Sequence, residues 1–265
     1  MLKKVFLLLL MSQSFFLCCH DATSIKPKVS IITSIYNGDD FIESFLADIV
    51  IQTIFDQCEL ILINANSPGN EEGVIQKYMQ RYSNIRSIRL NYDPGIYGVW
   101  NLGIMLARAD FITNANLDDR RNPRCLEVQA HALEENSEVD LVYGDYYITY
   151  KPNETFAQNT HRWVALADEF SLRAMNKCLP GPQPMWRKAM HHKYGFFDES
   201  FLSSGDMEMW LRAASRGSLF KHIPLVTGLY YVNPDGLSTT ADSAKMQKRD
   251  QENAFIVKTY QHVWQ

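Results

Sequence analysis

The sequence predicts an α/β fold, with a mostly parallel sheet covered by helices on both faces, in a single domain. Three observations predict it. Short β-branched runs alternate with amphipathic helical stretches through the first half of the chain. Those runs are apolar throughout rather than alternating, as strands buried on both faces must be. No internal repeat, low-complexity tract or linker divides residues 28–265. The chain has 265 residues, 46% hydrophobic and 21% charged, enough for one large core and too apolar for wholesale disorder. Its net charge of −4 argues against a nucleic-acid partner, which would select a basic face.

The elements follow in order. "KVSIITS" (28–34) is a buried strand. Asn37-Gly38 breaks it, and Asp39 or Asp40 can cap a helix carrying Phe41, Phe45, Leu46 and Ile49. "CELILIN" (58–64) is a second strand, ended by the Asn/Ser/Pro/Gly cluster at 64–70. A helix with Val74, Ile75 and Tyr78 on one side precedes a weaker strand, "IRSIRLN" (85–91). "IYGVWNLGIMLARA" (96–109) is helical, and "DFITNAN" (110–116) is a fourth strand.

The second half is less regular. A longer strand spans 138–150, and 151–165 is an irregular polar connection. "CLPGPQPMW" (178–186) is too rich in Gly and Pro for regular structure. "SGDMEMWLRAASRG" (204–217) is a helix, and "LFKHIPLVTGLYYVN" (219–233) gives one or two edge strands interrupted by Pro224. From Ala241 a last amphipathic helix carries Met246, Phe255, Ile256 and Tyr260.

Residues 1–24 are a different material. Lys3-Lys4 precede an apolar run from Val5 to Cys19, short for a membrane span and suited to a signal h-region or anchor. The fold is therefore expected over 25–265, with membrane association or export through residues 3–19. Five cysteines make no metal spacing; Cys58, Cys125 and Cys178 are expected to be free, buried thiols.

In parallel sheets ligands bind beyond the carboxyl ends of the strands. Three of those ends are polar and compact: "TSIYNG", "NANSPGN" and "NANLDDR". Asp118 and Asp119 close the last of them. Paired carboxylates there can hold Mg²⁺ or Mn²⁺, which take one or two protein oxygens and fill the rest with phosphate and water; they can equally cap a turn before Pro123. Asp206 opens a helix after Ser204-Gly205, where a carboxylate either caps the helix or serves as a general base.

The blocks "KVSIITSIYNGDDFIESFL…IQTIFDQCELILINANS", "DPGIYGVWNLGIMLARADFITNANLDD" and "GFFDESFLSSGDMEMWLRAASRG" resemble, in this order, the family 2 glycosyltransferases of GT-A fold. The resemblance covers roughly residues 28–238. It implies a Rossmann-like mostly parallel sheet and inverting transfer of a sugar from a nucleoside diphosphate to an acceptor hydroxyl. By that resemblance Asp119 ligates the Mn²⁺ or Mg²⁺, Asp118 contacts ribose or the metal, and Asp206 is the catalytic base. Ser34 and Tyr36 fall where base and ribose are held, and Asn101 falls in the helix flanking the aspartate strand, among the donor-binding positions. Residues 235–238 fall in the loop that closes over the donor.

Departures from the family pattern are equally specific. The second strand usually ends in two aspartates, one of which reads uracil; here Asn64 and Ala65 stand there, and an amide at Asn64 or Asn66 could take over. Asn116 replaces the first acid of the longer aspartate motif, and Tyr231 and Asn233 stand where Arg and His are frequent. No Q-x-x-R-W follows Asp206, so the enzyme is expected to be non-processive. The sugar is expected to go to a glycan, a lipid-linked acceptor or a protein, in glycan or polysaccharide biosynthesis. Ala65, Tyr231 and Asn233 favour the alternative of a weak relative that only binds a nucleotide or glycan. A dinucleotide oxidoreductase is excluded, since no G-x-G-x-x-G follows the first strand.

Overall fold

The structure, a computed structural model, describes residues 26–264. The expectations for residues 1–24 lie outside the described residues. The first half builds β1 (Val29–Ile35), α1 (Ile42–Ile49), β2 (Cys58–Asn64), α2 (Glu72–Met79), β3 (Ile85–Arg89), α3 (Gly95–Leu106) and β4 (Phe111–Asn114). Then come β5 (Arg120–Arg121), α4 (Cys125–Glu135), β6 (Leu141–Thr149), β7 (Trp163–Ala165), β8 (Met185–Arg187) and α5 (Met190–Tyr194). α6 (Gly205–Ala214), β9 (Phe220–Tyr231) and α7 (Ser243–Tyr260) complete the chain.

One nine-stranded sheet runs in the order β3-β2-β1-β4-β8-β6-β9-β5, with β7 beside β6. β1 pairs parallel with β2 and β4, β2 with β3, and β6 with β9. β8 is antiparallel to both β4 and β6, so β6 runs in the direction of β4. The sheet is thus mostly parallel, and the ends of β1, β2, β4, β6 and β9 all face one rim.

Alternate side chains of β1 enter opposite layers. Ile32 packs with Val99, Ile104, Trp186 and Trp210 on one face. Ile31 and Ile35 pack with Phe45, Leu46 and Leu126 on the other. That two-sided burial is what the continuous apolar runs encode. Gly103 lets α3 lie close on β1, because a Cβ there would come within 2.3 Å of Ile32.

Several expectations are corrected. Asp39 and Asp40 do not cap α1, whose N-cap Phe41 has no side-chain bond. Asp39 instead accepts from the Asn70 amide at 2.8 Å, tying the loop after β1 to the loop after β2. The Gly/Pro segment leads into β8 at the centre of the sheet. Pro182 and Pro184 favour extended backbone, and the buried Met185 and Trp186 then continue it. β9 is an interior strand, with Pro224 at the irregularity where its register on β6 jumps from Ile223 to Val226. β7 forms inside the stretch expected to be irregular, and α4 and α5 were not expected. α7 buries Ile256 and packs Tyr260 against the core, as expected, while Met246 and Phe255 lie 38% and 53% exposed and Glu252 is buried in their place.

Candidate active site

Asp118 and Asp119 sit just past the end of β4, where β5 turns back against β9. Asp119 is buried. Its Oδ1 accepts from the Tyr231 amide at 3.1 Å, and its Oδ2 accepts from Asn116 Nδ2 at 3.2 Å. Burial, then the neighbouring charge of Asp118, push the Asp119 pKa up to about 8. An aspartate at position 116 would add a third carboxylate there, whereas Asn116 donates. Asp118 is half-buried, and its Oδ2 accepts from Asn233 Nδ2 at 2.9 Å.

The turn is held from below by the buried Arg120. Its guanidinium donates to the Leu117 and Asp119 carbonyls at 2.8 and 2.6 Å and to Ser44 Oγ and Asn153 Oδ1 at 2.5 and 2.7 Å. The basic residues after the aspartates are therefore scaffold: Arg121 donates to Thr113 Oγ1 at 3.0 Å and through its amide to Asp48.

Asp206 lies in the first turn of α6. Its Oδ1 accepts from the Met207 amide at 2.8 Å and from the Tyr97 hydroxyl at 3.4 Å, and its Oδ2 accepts from Cys178 Sγ at 3.5 Å. Burial raises its pKa above the ordinary aspartate value. Tyr97 is buried and its oxygen also accepts from the Gly205 amide at 2.8 Å, so one hydroxyl fixes both α6's start and the carboxylate. Gly205 has to be glycine, because a Cβ would meet the Tyr97 ring at 2.7 Å.

The two aspartate centres are linked through Tyr146, whose ring lies against Gly181, three residues from Cys178, on one side and against Tyr230 on the other. The Tyr146 hydroxyl is raised by burial and by the charges of both Cys178 and Asp119. Cys178 in turn touches Asp206. Tyr146 and Tyr230 pack edge to face with ring centres 6.0 Å apart, and Tyr230 is also raised by burial and by Asp119 and Asp118. Tyr230 reaches Ser238 Oγ at 3.1 Å, which ties the loop after β9 to this link.

The remaining predicted residues divide. Ser34 is half-buried at the end of β1, Tyr36 is exposed beyond it, and Asn66 is exposed with a left-handed backbone (φ 57°). These line the rim. Asn64 and Asn101 have their side chains engaged within the fold. Asn64 accepts from the Ser67 amide at 2.8 Å and donates to Glu72 at 2.9 Å. Asn101 bonds the Phe197 carbonyl at 2.9 Å, the Phe197 amide at 3.0 Å and Glu199 at 2.9 Å, fastening the segment that leads to α6. Ala65 is buried, with its amide on the Ile35 carbonyl at 2.9 Å.

Sequence reasoning missed Tyr97, Cys178, Tyr146 and Tyr230, which no local motif marks. It also missed Glu71. That buried carboxylate accepts from the Gly38 amide at 2.7 Å and from Ser67 Oγ at 2.6 Å, joining the loops after β1 and β2.

The description "Glycosyl transferase family 2" matches residues 30–195, more than half of the chain. The chain belongs to glycosyltransferase family 2. Over 225 residues this glycosyltransferase is 25% identical to the uncharacterized glycosyltransferase YwdF of Bacillus subtilis, covering 84% of this chain and 81% of that one. Over 199 residues it is 24% identical to an uncharacterized glycosyltransferase of Methanocaldococcus jannaschii, covering 74% and 67%. Its fold is similar to S. aureus TarS in complex with UDP-GlcNAc, with a TM-score of 0.69 at 16% identity over 87% of this chain. This chain spans 66% of that TarS structure. It is also similar to the mannosyltransferase PcManGT of Pyrobaculum calidifontis in complex with GDP-Man and Mn²⁺, with a TM-score of 0.65 at 16% identity over 91% of this chain and 69% of that one. The architecture is GT-A, as expected from the sequence.

Proposed function

We propose that this glycosyltransferase is metal-dependent, inverting and non-processive, and moves a sugar from a nucleoside diphosphate to an acceptor hydroxyl in glycan or polysaccharide biosynthesis. One observation carries the proposal: Cys178, Tyr146 and Tyr230 link the separate carboxylate of Asp206 to the Asp118-Asp119 pair. The UDP-GlcNAc in the TarS structure and the GDP-Man and Mn²⁺ in the PcManGT structure support it.

The donor set fits a hard divalent cation. Asp119 and Asp118 offer carboxylate oxygens, and the buried Asp119 favours a proton over a bare charge. Among the described residues no cluster of three or more His, Cys, Asp or Glu could hold a metal, so diphosphate and water would complete the coordination. Mn²⁺ or Mg²⁺ bound there would stabilise the negative charge of the departing diphosphate. Asp206 takes the proton from the acceptor hydroxyl, and attack from the face opposite the leaving group inverts the sugar carbon. Tyr97 orients that carboxylate. The loop after β9, held by Asn233 and Ser238, shields the donor from water.

The weaker alternative, a relative that binds but does not transfer, draws on Ala65, which offers no side-chain hydrogen bond where a base-reading aspartate is usual. One screen separates the two. Residues 25–265 are exposed to UDP-, GDP- and dTDP-sugars with Mn²⁺, and both thermal stabilisation and slow donor hydrolysis are measured. Stabilisation with hydrolysis supports transfer; stabilisation without hydrolysis supports the binding relative.

A pH prediction follows from Asp119. Its pKa is raised, so below about 8 the metal-free protein holds a proton there that a cation must displace. Mn²⁺ affinity is therefore expected to rise by up to about tenfold per pH unit on approach to that value and to level off above it. Calorimetry across pH 6–9 checks this, and a flat profile counts against Asp119 as a ligand.

Membrane association or export through residues 3–19 is part of the same proposal. It is tested by fractionating cells that express the full chain and a chain starting at Ser24. Among the described residues no helix is long and apolar enough to cross a membrane.

A further inference from the structure

The start of α6 is not capped by its own side chains. Ser204, the N-cap residue, makes no side-chain cap bond. The orphan amides ahead of the helix are taken by a carboxylate from far along the chain. Glu252 of α7 accepts from the Leu202 amide at 2.5 Å and from the Ser203 and Ser204 amides, each at 3.0 Å. It is only 5% exposed. Beside it, Asn253 Oδ1 accepts from Ser204 Oγ at 2.9 Å. A buried carboxylate is tolerated only with such full hydrogen bonding, and charge-assisted bonds to three successive amides fix that backbone tightly.

The position is what gives this arrangement a consequence. Ser204 is two residues before Asp206, and the bonds of Asp206 to Tyr97 and Cys178 depend on where α6 begins. α7 buries only Glu252 and Ile256. Ile256 joins the core cluster that includes Met209 and Trp210 of α6, and Tyr260 donates to Glu208 of α6 at 2.7 Å. An apolar side chain would dock the helix at lower cost in desolvation, so the buried charge is suited to placing backbone rather than to adding stability.

We infer that Glu252 is a positioning residue for Asp206: by holding the 202–204 amides it sets the start of α6 and so aims the base at the acceptor hydroxyl. The inference rests on the reading of Asp206 as the base. The test uses the full chain and the sugar nucleotide that the screen shows to be hydrolysed, with Mn²⁺. Glu252→Ala is expected to lower kcat by about 10–100-fold, the scale of a displacement near 1 Å, with the donor KM held within about twofold. Glu252→Gln keeps the shape but turns an NH₂ toward an amide, so it is expected to fall between Ala and wild type; it carries the test if the Ala variant does not fold. In an Asp206→Asn background, Glu252→Ala should cost no more than about twofold further, since there is no base left to misplace. The inference is overturned if kcat is kept while only Tm falls, if donor KM rises instead of kcat falling, or if the loss is as large in the Asp206→Asn background. If Asp206→Asn alone leaves hydrolysis unchanged, the base reading has failed rather than the link between α7 and α6.

Discussion

Asp206→Asn is expected to lower sugar transfer by about 10²–10⁴-fold while donor affinity changes little. An amide of the same size keeps the Met207 and Tyr97 contacts within reach, yet cannot accept the acceptor's proton. The raised pKa of Asp206 adds a pH signature. The base works only when deprotonated, so wild-type kcat should fall as pH drops through a value above the ordinary aspartate 3.8. The Asn variant should lose that acidic limb. Steady-state kinetics with the hydrolysed sugar nucleotide measure both effects. Transfer within a few-fold of wild type would remove Asp206 from the mechanism.

Asp119→Ala is expected to abolish Mn²⁺-dependent donor binding and, with it, activity. A cation at a departing diphosphate stabilises charge by several kcal/mol, equivalent to a loss on the order of 10²–10³-fold in rate. Wild-type protein should gain thermal stability from Mn²⁺ plus sugar nucleotide, and the variant should gain none. Equal stabilisation of the two proteins would reduce the aspartate pair to a turn. The outcome also separates Asp119 from Arg120. Arg120 holds the same turn through the Leu117 and Asp119 carbonyls, so its loss should lower metal-free stability as well.

The parts of the fold that were legible in the sequence have a common cause. β1 and β2 are buried on both faces, so their apolar runs are continuous and their boundaries follow from the polar turns. β8 was missed because its flanking prolines signal a loop, although proline only enforces the extended backbone that leads into it. α4 was missed because its buried face includes the polar Gln129, which its pattern gives no reason to place inside. The site divides in the same way. Asp118, Asp119 and Asp206 stand in order along the chain, and contacts through Cys178, Tyr146 and Tyr230 link them in the structure. The residue types of Asn64 and Asn101 were visible, but not their partners, and those partners turned out to be the fold's own amides and carboxylates. Glu252 carries no signal in the sequence that sets it apart from the other charges of the last amphipathic helix. Only the tertiary packing turns it inward.

The central claim is base-assisted, metal-dependent displacement with inversion at the sugar carbon. Time-resolved proton NMR of donor hydrolysis tests it most directly, because the first anomer released is seen before mutarotation mixes the two. The account predicts that the free sugar appears first with the configuration opposite to that in the donor, with Mn²⁺ present and Asp206 intact. First release of the donor's own anomer, or the same rate from Asp206→Asn, would contradict it.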